Sequence, residues 1–212
     1  MRVLVTAGGT RERIDDVRVI ANLSTGRLGA RIANVAQDAG HEVMLLRGLH
    51  AERPSAGVDC EVFDDSAQLA ALLRRHVPRA DAVFHAAAVS DYLPTTAGGK
   101  LPSDQDELIL QLRRAPKLID GLREMAPDAI LVGFKLTSGL SEAERLSLAA
   151  GLRTRARLDM VLVNDASLTG ELDHEALLVD ADGVAARCRG KARIAEELVG
   201  RLTAQSGLET GA

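Results

Sequence analysis

Val3-Leu4-Val5-Thr6-Ala7-Gly8-Gly9-Thr10 decides the class of fold: an apolar, β-branched run empties into a double-glycine turn, as in dinucleotide-binding α/β proteins. In those proteins the turn leads at once into a helix whose N-terminus holds pyrophosphate. Here a helical pattern begins only near Gly26, and a polar insert carrying Arg11, Arg13, Arg18 and Asn22 intervenes. The insert rebuilds a phosphate-sized site from guanidinium and amide groups. That points to a nucleotide-using enzyme other than a dehydrogenase.

Outward from this turn, strand and helix signals alternate. Short apolar runs at Val3–Val5, Glu42–Leu46, Cys60–Phe63, Ala82–His85, Glu107–Leu112, Ala129–Phe134 and Met160–Val163 read as strands. Amphipathic stretches at Gly26–Ala39, Ser66–Val77, Pro116–Met125 and Ser141–Arg155 read as helices, with N-caps at Asp65-Ser66 and Ser138–Glu142 and a C-cap at Gly40. The alternation predicts a Rossmann-like three-layer α/β fold, a mostly parallel sheet with helices on both faces. Ala176–Val179 and Val184–Cys188 flank an Asp-Gly turn, a hairpin followed by a last helix over Gly190–Leu202. One nucleotide-binding domain is expected over 1–205, with a flexible tail at 206–212. Irregular stretches at 8–25 and 88–106 are long enough to be binding loops or lids.

Composition narrows the function. At 212 residues and 46% hydrophobic content the chain is long enough for one substantial core. With no Trp, one Tyr and three Phe, that core is aliphatic, and stacking platforms for single-stranded nucleic acid are absent. A net charge of −4 gives no attraction for a phosphate backbone, so nucleic-acid binding is not expected. Cys60 and Cys188 are isolated and read as reduced thiols. No apolar run reaches the roughly 18–20 residues of a membrane span and no signal peptide precedes the first strand. A soluble, cytoplasmic protein is expected.

Several constellations carry chemistry, each with a plainer alternative. Gly8-Gly9-Thr10 can bring backbone N–H groups to an anion, or form a tight strand exit. Ser24-Thr25-Gly26-Arg27-Leu28-Gly29 opens the first helix; its hydroxyls can cap free N–H groups where positive helix-end charge suits a phosphate, while Gly29 lets the helix approach the sheet. Asn22 can donate to a carbonyl or oxyanion beside the Arg18 charge, or serve as a turn residue. In His85-Ala86-Ala87-Ala88-Val89-Ser90-Asp91-Tyr92 the alanines leave room for a flat ring, and Asp91 can accept from an amine or a ribose hydroxyl, or cap a turn. His85 reads as a core or edge histidine. Lys100 sits on a glycine-led loop, free to close on a triphosphate or simply solvated. No Y-x-x-x-K pair, G-x-S-x-G elbow, P-loop or metal-ligand cluster is present. The second strand ends in Arg47 rather than an acid, which disfavours NAD and leaves NADP open.

Taken in order, five blocks resemble phosphopantothenoylcysteine synthetase, a ligase family of coenzyme A biosynthesis. TAGGTRERIDDVRVIANLSTGRLG is similar to the family's opening signature, and HAAAVSDYLP to its AAAV-x-DY segment. GGKLPSDQDELILQLRRAPKLI resembles its lysine loop, strand and helix start, while VGFKL (Val132–Leu136) and LVNDASL (Leu162–Leu168) match later blocks. Lys100-Leu101-Pro102-Ser103 keeps only the first lysine of the K-x-K-K loop found in many bacterial relatives. With no flavin-dependent decarboxylase domain ahead of the match, the chain resembles the single-domain form.

The resemblance implies a two-step reaction. The carboxylate of 4′-phosphopantothenate attacks the α-phosphate of CTP or ATP, and the amine of L-cysteine then displaces the nucleotide. It implies that Asn22 holds the acyl-phosphate carbonyl with help from Arg18, and that Lys100 closes over the triphosphate. Gly8, Gly9, Thr10, Ser24, Thr25 and Gly26 would line the phosphate end, and Ala87, Asp91, Pro116 and Phe134 the nucleoside. Magnesium would be held largely by the nucleotide, no protein residue being assigned to the metal, and a homodimer is expected. Two alternatives remain at this stage: an NADP-binding reductase, and a noncatalytic nucleotide-binding regulator.

Overall fold

The computed structural model describes residues 1–95, 98–104, 106–166 and 175–205. Strand β1 (Arg2–Ala7) leads into a small antiparallel hairpin of β2 (Arg11–Arg13) and β3 (Val19–Ala21), and then into α1 (Arg27–Asp38). Next come β4 (Glu42–Gly48), β5 (Asp59–Phe63), α2 (Ser66–His76) and β6 (Ala82–His85). A second small antiparallel pair, β7 (Tyr92–Pro94) with β8 (Leu112–Arg114), precedes a 3-10 turn at Leu118–Gly121 and the short α3 (Leu122–Met125). The chain continues through β9 (Ile130–Thr137), α4 (Glu142–Ala156), β10 (Met160–Asp165), β11 (Glu175–Val179), β12 (Val184–Arg189) and α5 (Lys191–Gln205).

Eight strands form the main sheet in the order β12-β11-β10-β9-β6-β1-β4-β5. The six from β5 to β10 run parallel, and β11 and β12 add an antiparallel edge. This is the expected three-layer, Rossmann-like fold with its C-terminal hairpin and helix. The two-residue period of β1 explains the layers: Val3 and Val5 face a core shared with α1 and α5, and Leu4 faces the core of α2, α3 and α4. Helix α1 forms because Gly29, Ile32, Ala33 and Ala36 repeat at helical spacing, and all four are buried against the sheet. Gly40, at φ +81°, ends it in the left-handed conformation expected of that position. Asp65 and Ser141 cap α2 and α4, Ser141 in a reciprocal capping box with Glu144.

The sheet departs from the sequence reading at one strand. Glu107–Leu112 carries a strand-like apolar run, yet only Leu112–Arg114 pairs, and it pairs with β7 outside the main sheet. Its apolar side chains find no core: Leu108, Ile109 and Leu112 are all exposed. Strand propensity is chiefly a preference for packing on a half-buried face, and this segment has none. The stretch 8–25, expected to be irregular, contains the β2–β3 hairpin. Gly121 at the 3-10 turn breaks the expected helix over Pro116–Met125 into two short pieces. Residues 206–212, expected to form a tail, lie outside the described residues, as do Ser167 and Leu168 of the last sequence block.

Candidate active site

The order of crossing reverses between β1 and β6, and a ligand crevice forms at the carboxyl ends of strands at such a switch point. A cavity of about 1280 Å³ opens there. Asn22, Ser24, Thr25 and Gly26 contribute to its wall, together with the ledge His85–Asp91, Pro116 and Phe134, and with Leu148, Gly151 and Arg155 of α4. Asn22, Ser24, Thr25, Gly26, Ala87, Asp91, Pro116 and Phe134 were all expected to bind ligand, and all line this one space.

The first turn of α1 is built differently from the expectation. Gly26 is the N-cap, at φ +72° and with no side-chain cap, and the Thr25 hydroxyl lies a long 3.5 Å from the Arg27 N–H. The Ser24 and Thr25 hydroxyls therefore remain available to the cavity instead of closing off the helix end. Only glycine fits at 26, because a Cβ would stand 2.6 Å from Cβ of Ala51.

Gly8, Gly9 and Thr10, expected at the phosphate end, are not among the residues lining this cavity. They form its back wall. A Cβ on Gly8 would meet Ala51, and one on Gly9 would collide with the Asn22 carbonyl oxygen. Thr10 is fully buried; its N–H donates to the Ala88 carbonyl at 3.1 Å and its hydroxyl bonds that of Ser90 at 2.9 Å. This wall holds the ledge and the insert together: the Asn22 side-chain amide donates to the same Ala88 carbonyl at 3.3 Å. The amide's second N–H is left for the cavity that Asn22 lines.

Arg18 and Lys100 also lie off the cavity lining. Arg18 pairs with Asp15 at 3.0 Å and donates to the Leu101 carbonyl at 3.3 Å, while the Leu101 N–H donates to Asp15 at 3.0 Å. Asp15 thus knots the insert to the lysine loop, leaving the Lys100 side chain in solvent. Burial pushes the Asp15 carboxyl upward, but the N–H groups of Val17, Leu101 and Arg18 and the Arg18 charge outweigh it and hold it below its ordinary value.

Several cavity residues were not singled out from sequence. Lys117 forms an ion pair with Asp91, and Lys135 and Lys191 add positive charge to the lining. The clustering of three of the four lysines between 100 and 135 was the available hint. His85 sits on the floor, 5% exposed, with Nδ1 3.1 Å from the Thr6 hydroxyl. Burial pushes its pKa down to about 4, so the ring is neutral at pH 7.

Arg47 is corrected too. It is buried, and its guanidinium donates to the carbonyls of Gly48, Leu49 and Ala51. Those bonds hold the loop whose Ala51 packs on Gly8 and Gly26, where a dinucleotide phosphate would need room. Arg47 is committed to the scaffold and gives no support to NADP binding. Among the described residues no group of three or more His, Cys, Asp and Glu gathers to hold a metal, and no helix is long and apolar enough to cross a membrane.

With this geometry in view, known proteins place the chain. Residues 1–205 match the family model described as the DNA/pantothenate metabolism flavoprotein C-terminal domain. The chain is 40% identical over 183 residues to the coenzyme A biosynthesis bifunctional protein CoaBC of Thermococcus kodakarensis, an alignment covering 85% of this chain and 45% of that protein. It thus spans about half the length of the curated relatives it matches. Among solved structures, the DNA/pantothenate metabolism flavoprotein from Streptococcus pneumoniae superposes with a TM-score of 0.91 at 28% identity, covering 97% of this chain and 99% of that one. The C-terminal domain of a coenzyme A biosynthesis bifunctional protein CoaBC superposes with a TM-score of 0.79 at 26% identity, covering 97% and 95%. The chain belongs to the DNA/pantothenate metabolism flavoprotein C-terminal domain family.

Proposed function

We propose that this chain is the phosphopantothenate–cysteine ligase of coenzyme A biosynthesis, a cytoplasmic enzyme that consumes CTP or ATP. One observation carries the reading: the insert's Asn22, the open helix end at Ser24–Gly26 and the Asp91–Phe134 side share a single cavity at the switch point. The name of the CoaBC relative supports the pathway.

In the first step a carboxylate oxygen of 4′-phosphopantothenate attacks the α-phosphorus, and the bond to the bridging oxygen breaks to release pyrophosphate. In the second, the cysteine amine attacks the acyl carbon. The tetrahedral oxyanion collapses, the nucleoside monophosphate leaves, and the amine's proton passes to solvent. Neither step needs a strong acid or base. Both need charge held in place, which fixed dipoles in a sheltered site supply.

Ser24, Thr25 and the first N–H groups of α1 suit phosphate oxygens, and Asn22 offers its unused N–H to the acyl carbonyl. Asp91, held by Lys117, suits a hydroxyl or amine of the nucleoside. Lys100 would reach the triphosphate by a swing of its loop away from the Asp15 knot. Among the described residues Asp91 is the one carboxylate lining the cavity and is already paired, so magnesium would arrive with the triphosphate and no protein ligand is assigned to it. When bound, the ion neutralises phosphate charge. Exposed Val17 and Tyr92, on the two small hairpins, favour a homodimer formed through that face.

Mixing the protein with 4′-phosphopantothenate, magnesium and either CTP or ATP, without cysteine, tests the reading. A stoichiometric burst of pyrophosphate with one nucleotide, turning over only once cysteine is added, is expected and chooses the nucleotide. Silence with both removes the ligase and favours the noncatalytic regulator.

A further inference from the structure

The Thr6 hydroxyl accepts the Ala87 N–H at 3.0 Å and lies 3.1 Å from His85 Nδ1. A hydroxyl has one proton to give. Thr6 is fully buried, and among the described residues its hydroxyl has no other partner than these two, so its proton is satisfied only by going to Nδ1. That leaves His85 Nδ1 an acceptor and places the ring proton on Nε2. Among the described residues Nε2 has no hydrogen-bond partner, yet it is not among the side-chain atoms sealed from solvent without one, and His85 lines the cavity. A donor of fixed tautomer on a residue 95% buried is thus presented at the switch point itself, where Thr6 and His85 pair across β1 and β6.

We infer that His85 Nε2–H is a specificity-determining donor to an uncharged acceptor, a sugar oxygen or base carbonyl, on the nucleoside of the bound nucleotide. The inference rests on the ligase reading and deepens it. The nucleoside is favoured over the acid substrate by position: His85 leads into the bulk-free Ala86–Ala88 ledge and pairs with Gly133, next to Phe134, on β9. Depression of its pKa to about 4 keeps the imidazole uncharged at pH 7, so it can select by hydrogen bonding without attracting any anion.

Two measurements test this. In the unsubstituted protein, long-range 1H–15N spectra of the histidine rings are expected to show His85 protonated on Nε2 alone, with the Nε2 signal moving on addition of magnesium CTP or magnesium ATP. The opposite tautomer, or an Nε2 signal unmoved at saturating nucleotide, overturns the inference. Calorimetry without 4′-phosphopantothenate is expected to show about tenfold weaker nucleotide binding by His85→Leu, partly restored in His85→Gln, which keeps a donor. Affinity for 4′-phosphopantothenate should stay within twofold. Unchanged nucleotide affinity in His85→Leu, or equal weakening of both ligands, also overturns it. Nucleotide binding that moves Nε2 without pyrophosphate release refutes the ligase and upholds the donor; no nucleotide binding at all sinks both.

Discussion

The floor of the cavity and its rim are made to opposite specifications. On the floor, Thr6 and His85 are buried side chains on paired central strands, and Gly29 brings α1 so close that a Cβ there would lie 2.5 Å from Cβ of Ala7. On the rim, Lys100 is exposed, a Cβ on Gly98 would meet nothing within 4 Å, and the loop is tied down by the bonds at Asp15 and Arg18. Asn22 stands between them, exposed to the cavity but fastened to the back wall. The contrast is one of local stability. Central strands open only with the whole fold, while a loop held by a few polar contacts opens by itself. The proposed two-step ligase would use both: a fixed surface to define geometry, and a movable one to admit a triphosphate and release pyrophosphate.

The largest effect is expected where floor and rim meet. On the proposed ligase reading, Asn22→Asp replaces a donor offered to a developing oxyanion with a negative charge. The cysteine step should slow by about 10² to 10³, the usual cost of losing one such donor, and the acyl-nucleotidylate should accumulate on the enzyme. Rapid-quench separation of the intermediate measures it, and normal turnover would take Asn22 out of the mechanism.

The next largest separates the floor by pH. His85 keeps its proton off until about pH 4 in the native state, against an ordinary value of 6.5. Between those values the unfolded chain binds a proton that the native chain does not, so stability falls as pH drops from 6.5 to about 4, and the contribution of His85 to that fall is complete below about pH 4. The drop amounts to about 3 kcal/mol. Denaturant unfolding of wild type and His85→Gln at pH 7 and pH 4.5 should show a shallower loss in the variant. Parallel losses would mean that the ring is protonated or solvated in the native state.

A pair of glycine substitutions sharpens the same division. Gly29→Ala forces a methyl against Ala7 and the Thr6 carbonyl oxygen, at 3.1 Å, and should destabilise by about 1–3 kcal/mol. Gly98→Ala, with open space around it, should stay within about 0.5 kcal/mol. Thermal melts of the two decide it, and equal shifts would erase the distinction between packed floor and open rim.

The two regions were unequally legible in the sequence. The central strands declared themselves because Val3–Val5 and Ala82–His85 are apolar runs buried on both faces. The ligand ledge followed from the alanines after them. Glu107–Leu112 misled because its apolar run is real while its burial in the sheet is not. The β2–β3 hairpin was hidden because each strand is only three residues long and β2 is wholly charged, so its pairing is all that marks it. The Thr6–His85 bond joins residues 79 apart in the chain, and Arg47 reaches three carbonyls of a loop that looks unremarkable in sequence. Residue types named the chemistry; which groups were already occupied was a long-range fact.

The smallest expected effect is at the knot itself. Asp15→Asn keeps an oxygen for the Val17 and Arg18 N–H groups but removes the charge facing Arg18 and one of the two oxygens through which Asp15 serves both Arg18 and the Leu101 N–H. The Leu101 N–H then loses its bond to Asp15, leaving the loop the Arg18 contact at the Leu101 carbonyl and the Asp16 contact at Gly99, while the sheet below is untouched. Trypsin should cut after Lys100 about fivefold faster, the loss of roughly 1 kcal/mol of local closure, because cleavage of a segment that opens and recloses quickly follows the population of its open form. The melting temperature should stay within about 2 °C, since local opening of a rim loop leaves global stability in place. If cleavage instead stays at the wild-type rate, the loop is held by something other than Asp15, and the swing required of Lys100 must start from different contacts.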